Sequence, residues 1–274
     1  MKPTGPKVTN WPDATVVVTG ATKGIGRAVV QELAGRGARL GCIARSESDL
    51  DALAREVGGS ATVAVAAADV GDRGEVEAAV ATITDRLGPP DVLVNNAGIG
   101  TYGHVLDLDL AEAEHIMRTN YFGTLYATYA ALPAMRERGR GHIVNLGSIA
   151  GRLGGPFEAA YSASKFAVVG FSEAMAVELA PFGIGVSVIS PGPVATSFHE
   201  TLGHPYDRKR PRPLEARTVA RAIIRAVEKG GADRVLPRSL AAAVVVRHLL
   251  PGLYRRGAGA SFRTELRAEV VRKR

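Results

Sequence analysis

Cysteine is almost missing from this 274-residue chain, with Cys42 the only one. An intramolecular disulfide is therefore excluded, and Cys42 reads as a small apolar residue buried in a strand, compatible with a reducing compartment. Aromatic residues make up only 5%, so the core must come from small aliphatic side chains, which suits helices packed closely on a sheet. No apolar run approaches the roughly 18 residues of a membrane span. The stretch before β-rich residues 14–19 has no apolar core of signal-peptide length, so residues 1–13 read as an irregular lead-in and the expected location is cytoplasmic. Metal-ligand, homeodomain and RNA-binding patterns are missing too, so neither a metal nor nucleic acid is an expected partner.

Hydrophobic residues amount to 46%, charged residues to 22%, and there are 32 glycines. That balance describes a globular chain long enough for one large α/β domain. Charge is divided unevenly. From position 208 onward there are 18 Lys/Arg against 5 Asp/Glu, which leaves 16 against 22 before it. The net charge of +7 is thus a property of the tail, which points to an anionic membrane surface, an acidic partner or simply solubility.

Residues 14–19 form a β-rich run that stops at Gly20, and a helix-compatible stretch runs from Gly24 to Ala34. Between them lies the loop containing Gly20, Thr22, Lys23, Gly24, Ile25 and Gly26. Its glycines allow a tight turn and a close backbone approach, and the following helix N-terminus offers amide donors to a diphosphate. An ordinary glycine-rich turn is the plain alternative. A second strand over 38–44 ends at Arg45, and Ser46 with Asp49 has capping-box spacing for a helix. An acid at the end of this strand suits the 2′-hydroxyl of NAD, an arginine the 2′-phosphate of NADP. Arg45, with Lys23 as a second cation and no acid at the strand end, points to NADP(H), unless both are solvated surface cations.

The alternation goes on with a strand at 62–67, a helix over 72–87 and a strand at 91–94 that runs into Asn95, Asn96, Ala97 and Gly98. Amide side chains there can tie strands and ligand together, and Ala97 with Gly98 leaves room for a flat ring. A helical region over 110–138 is interrupted around Asn120. Further strands at 142–146 and 184–189 deliver Ser148 and the segment containing Pro191, Gly192, Val194 and Thr196. The pattern predicts a parallel sheet with right-handed crossovers, whose ligand crevice lies outside the carboxyl ends of its strands.

Tyr161 and Lys165, four apart on a helix, share one face. A cation near a phenol favours phenolate and moves its pKa down from about 10. Two solvated side chains on a helix surface are the alternative. The glycine loop, Asn95 to Gly98, Asn120, Ser148, Tyr-x-x-x-Lys and Pro-Gly-Pro occur in an order and spacing that resembles the short-chain dehydrogenase/reductase family over residues 14–236. The resemblance implies a Rossmann-like doubly wound sheet flanked by helices in a single domain; beyond it, residues 237–274 are expected to form a basic, partly apolar C-terminal helical extension. It implies an active site of Asn120, Ser148, Tyr161 and Lys165, adenine beside Asp69 and Val70, and nicotinamide beside residues 191–196. It also implies a homodimer or homotetramer packed through the helices that carry Asn120 and Tyr161.

The expected activity is NADP(H)-dependent interconversion of a ketone or aldehyde with an alcohol. Ser148 would donate to the carbonyl oxygen, Tyr161 would act as acid and base, Lys165 would stabilise the phenolate, and Asn120 would support a water-linked proton path. Each has a bland alternative: Ser148 as a loop cap, Asn120 as the stabiliser of a helix break, Thr196 as a loop hydroxyl. The alternative at the level of the whole protein is a nucleotide-sensing protein with little turnover. Substrate choice is expected in residues 194–214, with Phe198, His199, His204 and Tyr206 as pocket candidates, and in the tail. A helix over 215–229 is expected from the spacing of Val219, Ile223, Ile224 and Val227. The apolar but interrupted segment 240–250 has three readings: it packs over the substrate cleft, joins a neighbouring subunit, or lies on an anionic membrane.

Overall fold

β1 (Thr15–Thr19) is buried along its whole length, as a strand covered by helices on both faces must be. A computed structural model of the protein describes residues 7–8, 10–58, 63–198, 202, 211–231 and 233–272. In it β1 is the third strand of a seven-stranded sheet in which every pairing is parallel. The other strands are β2 (Arg39–Ala44), β3 (Val63–Ala67), β4 (Val92–Asn95), β5 (Gly141–Leu146), β6 (Ile184–Pro191) and β9 (Asp233–Leu236), in the order β3-β2-β1-β4-β5-β6-β9. A two-stranded pair, β7 (Val194–Ala195) with β8 (Leu214–Glu215), stands beside it.

Alternation along the strands separates two cores. Val16 and Val18 face a cluster built with Val29, Leu33, Ile223 and Val227, from α1 (Gly24–Ala34) and α7 (Ala216–Glu228). Val17 faces the opposite cluster, with Val80 and Ile83 of α3 (Arg73–Leu87) and Ala131 and Met135 of α5 (Gly123–Glu137). Close packing is enforced where Gly41 of β2 meets α3: a Cβ there would lie 2.4 Å from Ile83. α2 (Glu47–Val57) and α3 begin at caps visible in the sequence, with Ser46 accepting from the Asp49 amide and Asp72 from the Glu75 amide.

α4 (Leu110–Met117) passes into α5 through a π-helical turn, Arg118–Phe122, at the interruption expected around Asn120. Such turns occur mostly as single insertions and often at functional sites. α6 (Ala159–Glu178) carries Tyr161 and Lys165. The lead-in is anchored at Trp11, which is buried and donates Nε1–H to Glu228 (3.2 Å).

β9 is not among the strands expected from the sequence. Asp233 to Leu236 pair with Val188 to Pro191, and Arg152, itself mostly buried, ties Asp233 (2.6 Å) to Glu173 (2.9 Å). The extension after it forms α8 (Ser239–Leu249), α9 (Pro251–Ser261) and α10 (Arg263–Arg272). Among the described residues no helix is long and apolar enough to cross a membrane.

Candidate active site

Strand order reverses beside β1, between β4 on one side and β2 on the other, and there the strand ends open into a cavity of about 850 Å³. Of the residues singled out in the sequence, Gly20, Thr22, Lys23, Gly24, Ile25, Arg45, Asp69, Val70, Asn96, Ala97, Gly98, Ser148, Tyr161, Lys165, Pro191, Gly192, Val194 and Thr196 all line it. Gly26 and Asn120 do not. They stand behind the wall and shape it.

Gly26 shows why its place admits no side chain, since a Cβ would sit 2.1 Å from the Gly20 carbonyl oxygen. The loop is clasped from the β4 side. Thr19 Oγ1 accepts from the Asn96 and Ala97 amides (3.0 and 3.1 Å), and the Asn96 side chain donates to the Thr19 and Gly20 carbonyls (3.0 and 3.1 Å). α1 then starts without a side-chain cap or an acidic residue in its first turn, so its leading amides and dipole remain available to an anion.

At the end of β2, Arg45 is exposed and Lys23 pairs with Asp49 across 3.7 Å. Asp49 also lines the cavity. The strand end lacks an acid, as the sequence indicates, but the first turn of α2 supplies one to the same corner; capping-box spacing is its only mark in the sequence. Asp69 is oriented by the Gly71 amide, which donates to Oδ1 (2.9 Å).

The chemical end of the cavity joins β5, the π-helical turn and α6. Lys165, 5% exposed, donates Nζ–H to the Leu146 carbonyl (2.8 Å) and stands 5.9 Å from the centre of the Tyr161 ring. Asn120, fully buried, donates to the Ile99 carbonyl (2.8 Å) and to Ser164 Oγ (2.9 Å), and accepts from the Ile99 amide (2.8 Å). It thereby fixes the chain after Gly98, where a Cβ would lie 3.1 Å from Asn120 Oδ1 and 3.4 Å from Lys165 Nζ. Below it, Asn95 donates to Asn145 (2.9 Å) and Asn145 to Ser172 (2.8 Å), locking β4, β5 and α6 together.

The expectation that Lys165 draws the phenol down is not met. Burial pushes the Tyr161 phenol above its usual range, and the hydrogen bond with Ser148 opposes that only in part. The same burial pushes Lys165 down from 10.5 to about 8. Desolvation is the largest cause of both shifts, and the ammonium donates to the Leu146 carbonyl.

The far end of the cavity is closed by the tail and by Phe198, where the sequence places substrate choice, and by loop residues it does not single out. Leu240, Tyr254, Ala258 and Phe262 of the extension line it, together with Tyr102, Leu153 and Phe198. Tyr254 donates its hydroxyl to the Gly154 carbonyl (2.8 Å), and Phe262 packs against Phe157 (6.0 Å), which stacks on Tyr102 (5.4 Å). Phe157 holds φ +67, a left-handed conformation costing a bulky residue on the order of 1–3 kcal/mol and often kept at functional sites. Of segment 240–250 only Leu240 lines the cavity; the rest of the cover from the extension comes from residues 254–262. Phe198 lies 5.6 Å from the Tyr161 ring; His199, His204 and Tyr206 lie outside the described residues.

A doubly wound parallel sheet with a glycine-lined cleft at its strand ends defines a Rossmann-like α/β protein. The family model described as short chain dehydrogenase matches residues 14–207, and the chain belongs to the short-chain dehydrogenase/reductase family. Dehydrogenase/reductase SDR family member 7B of Mus musculus is 41% identical over 191 residues, which take in 68% of this chain and 59% of the mouse protein. Ketoacyl reductase HetN of Nostoc is 36% identical over 220 residues, 78% of this chain and 75% of that protein. A short-chain dehydrogenase/reductase from Burkholderia phymatum, solved in complex with NAD, superposes with a TM-score of 0.81 at 24% identity, covering 90% of this chain and 96% of its own, and shares the fold.

Proposed function

We propose that this protein interconverts a ketone or aldehyde with an alcohol, using NADP(H) in preference to NAD(H). The observation that carries the reading is the meeting of Ser148, Tyr161 and Lys165 at the cavity wall formed by the end of β5 and the start of α6, with the ammonium 5.9 Å from the Tyr161 ring centre. The residues fit the cofactor: a glycine loop without Cβ atoms in the way, uncapped amides at the start of α1, and a slot at Gly98 that a side chain would fill. Gly20 to Gly26 would hold the diphosphate, Lys23 and Arg45 the 2′-phosphate, Asp69 and Val70 the adenine, and Pro191 to Thr196 the nicotinamide side. When bound, the cofactor supplies or accepts a hydride.

The chain's own residues manage the proton. In reduction, Ser148 donates a hydrogen bond to the substrate oxygen. Tyr161, kept neutral by burial, gives that oxygen its proton as negative charge builds there. Lys165 then faces a phenolate it can stabilise, and Asn120 acts as a positioning residue that holds the π-helical turn against Ile99 and Ser164. Oxidation is the reverse. The aromatic and aliphatic cover from the extension favours a lipophilic substrate. We also propose a homodimer or homotetramer, supported by Phe122, Tyr129 and Val177, large side chains left exposed on the π-helical turn, α5 and α6.

Titration with NADPH and NADH tests the cofactor reading. NADPH should bind more tightly, and Arg45→Asp should weaken it at least about tenfold by removing one charge-assisted contact and adding a repulsive one, while NADH changes little. Equal binding of the two by the wild type would overturn the roles given to Lys23 and Arg45. Tyr161→Phe should keep nucleotide affinity and lower turnover of ketones by roughly 10²–10⁴; unchanged turnover would favour a nucleotide-binding protein.

A further inference from the structure

The extension after β9 presents two chemistries on two sides. Leu240, Tyr254 and Phe262 line the cavity, whereas at the corner between α8 and α9 Val245, Val246, Leu249, Leu250 and Leu253 are 54%, 36%, 73%, 55% and 58% exposed. Val245 and Leu249, four apart, share one face of α8, and Leu250 and Leu253 follow across the break where α8 ends and α9 begins. A cluster of that kind marks a surface that meets something.

Charge says what. Between Asp233 and Glu265 there is no acidic residue, while arginine occurs at 234, 238, 247, 255, 256 and 263. Arg247 is turned inward, its guanidinium 4.8 Å from the Phe166 ring centre. Arg255 and Arg256 are exposed immediately after the leucines. A second copy docking by the same patch would set these arginines against their own kind, which disfavours a self-complementary contact. Exposed aliphatic side chains followed by two exposed arginines, in a stretch of the chain without acids, are complementary to the headgroup boundary of an anionic bilayer.

We propose that the α8–α9 corner docks on an anionic membrane surface, the leucines entering the headgroup boundary and Arg255 and Arg256 meeting lipid phosphates. The helices that roof the cavity would then lie at the bilayer, where lipophilic compounds accumulate. Docking does not depend on the oxidoreductase reading.

The test is co-sedimentation of the full chain with vesicles of phosphatidylcholine alone and of phosphatidylcholine with phosphatidylserine at roughly 3:1. The chain should pellet with the anionic vesicles only, less so as salt shortens the screening length. Leu249→Ser/Leu250→Ser/Leu253→Ser and Arg255→Gln/Arg256→Gln should each lower binding by about tenfold or more, with the melting midpoint and NADPH affinity unchanged. The proposal is overturned if the wild-type chain stays in the supernatant or binds neutral vesicles equally well. Unchanged binding by both variants, or a leucine variant that loses a dimer rather than lipid, also overturns it.

Discussion

Lys165 loses its proton in the fold near pH 8 instead of 10.5, and folding stability therefore depends on pH across that interval. Below pH 8 folded and unfolded chains both carry the ammonium, and the desolvation penalty is felt in full. Between about 8 and 10.5 the unfolded chain keeps a proton the folded one has released, so this group makes stability rise with pH there. Tyr161 acts oppositely above pH 10, where the folded chain retains a proton that the unfolded chain sheds, so stability falls. In the proposed mechanism reduction needs the ammonium, so kcat/KM should decline above about pH 8. Lys165→Arg, which stays charged, should lose that limb whatever its residual rate; a wild-type profile flat from about pH 7 to 10 sinks the role given to Lys165. At Gly26 the constraint is steric. Gly26→Ala should cost about 1–3 kcal/mol and weaken NADPH binding, read by thermal unfolding and titration. Tyr161, Lys165 and the glycine loop are legible in the sequence because helical spacing and loop chemistry are local. The direction of the tyrosine shift is not, because it depends on how deeply β5 and α6 bury the phenol and on Leu146 taking up the lysine.

Among the elements, α7 is legible because its apolar stripe recurs at helical spacing and all of Val219, Ile223, Ile224 and Val227 are buried. β9 is not, since four residues, two of them charged, make no pattern until β6 offers them partners. A helical extension is expected from the sequence, but α9 as a helix of its own is not, because Gly252, Gly257 and Gly259 lower its intrinsic helicity; it meets the body through the Tyr254 hydroxyl on Gly154 and, just beyond its end, Phe262 on Phe157. That attachment predicts a split. Tyr254→Phe/Phe262→Ala should raise KM for an apolar ketone about five- to tenfold, the loss of one hydrogen bond and part of one aromatic contact, with kcat within about twofold. A fall in kcat with KM unmoved would place these residues elsewhere in the reaction.

On the scale of the whole molecule, the proposed self-association face and the proposed membrane-docking corner use different elements, the α5–α6 side and the α8–α9 corner. Tyr129→Asp/Val177→Asp should therefore shift the chain to monomer in sedimentation velocity while leaving vesicle binding in place. A wild-type chain already monomeric at micromolar concentration would remove that reading. Composition locates neither face, since it shows only that positive charge gathers in the tail; folding decides which arginines reach solvent. Trp11 is the single tryptophan, buried at the entry to β1 and bonded to Glu228. The cavity lies at the other end of that five-residue strand, on the order of 15 Å away. Ultraviolet emission excited at the indole is thus a built-in gauge of global unfolding, blind to direct contact with a cleft ligand, and a bound reduced nicotinamide would be seen by energy transfer from the ring.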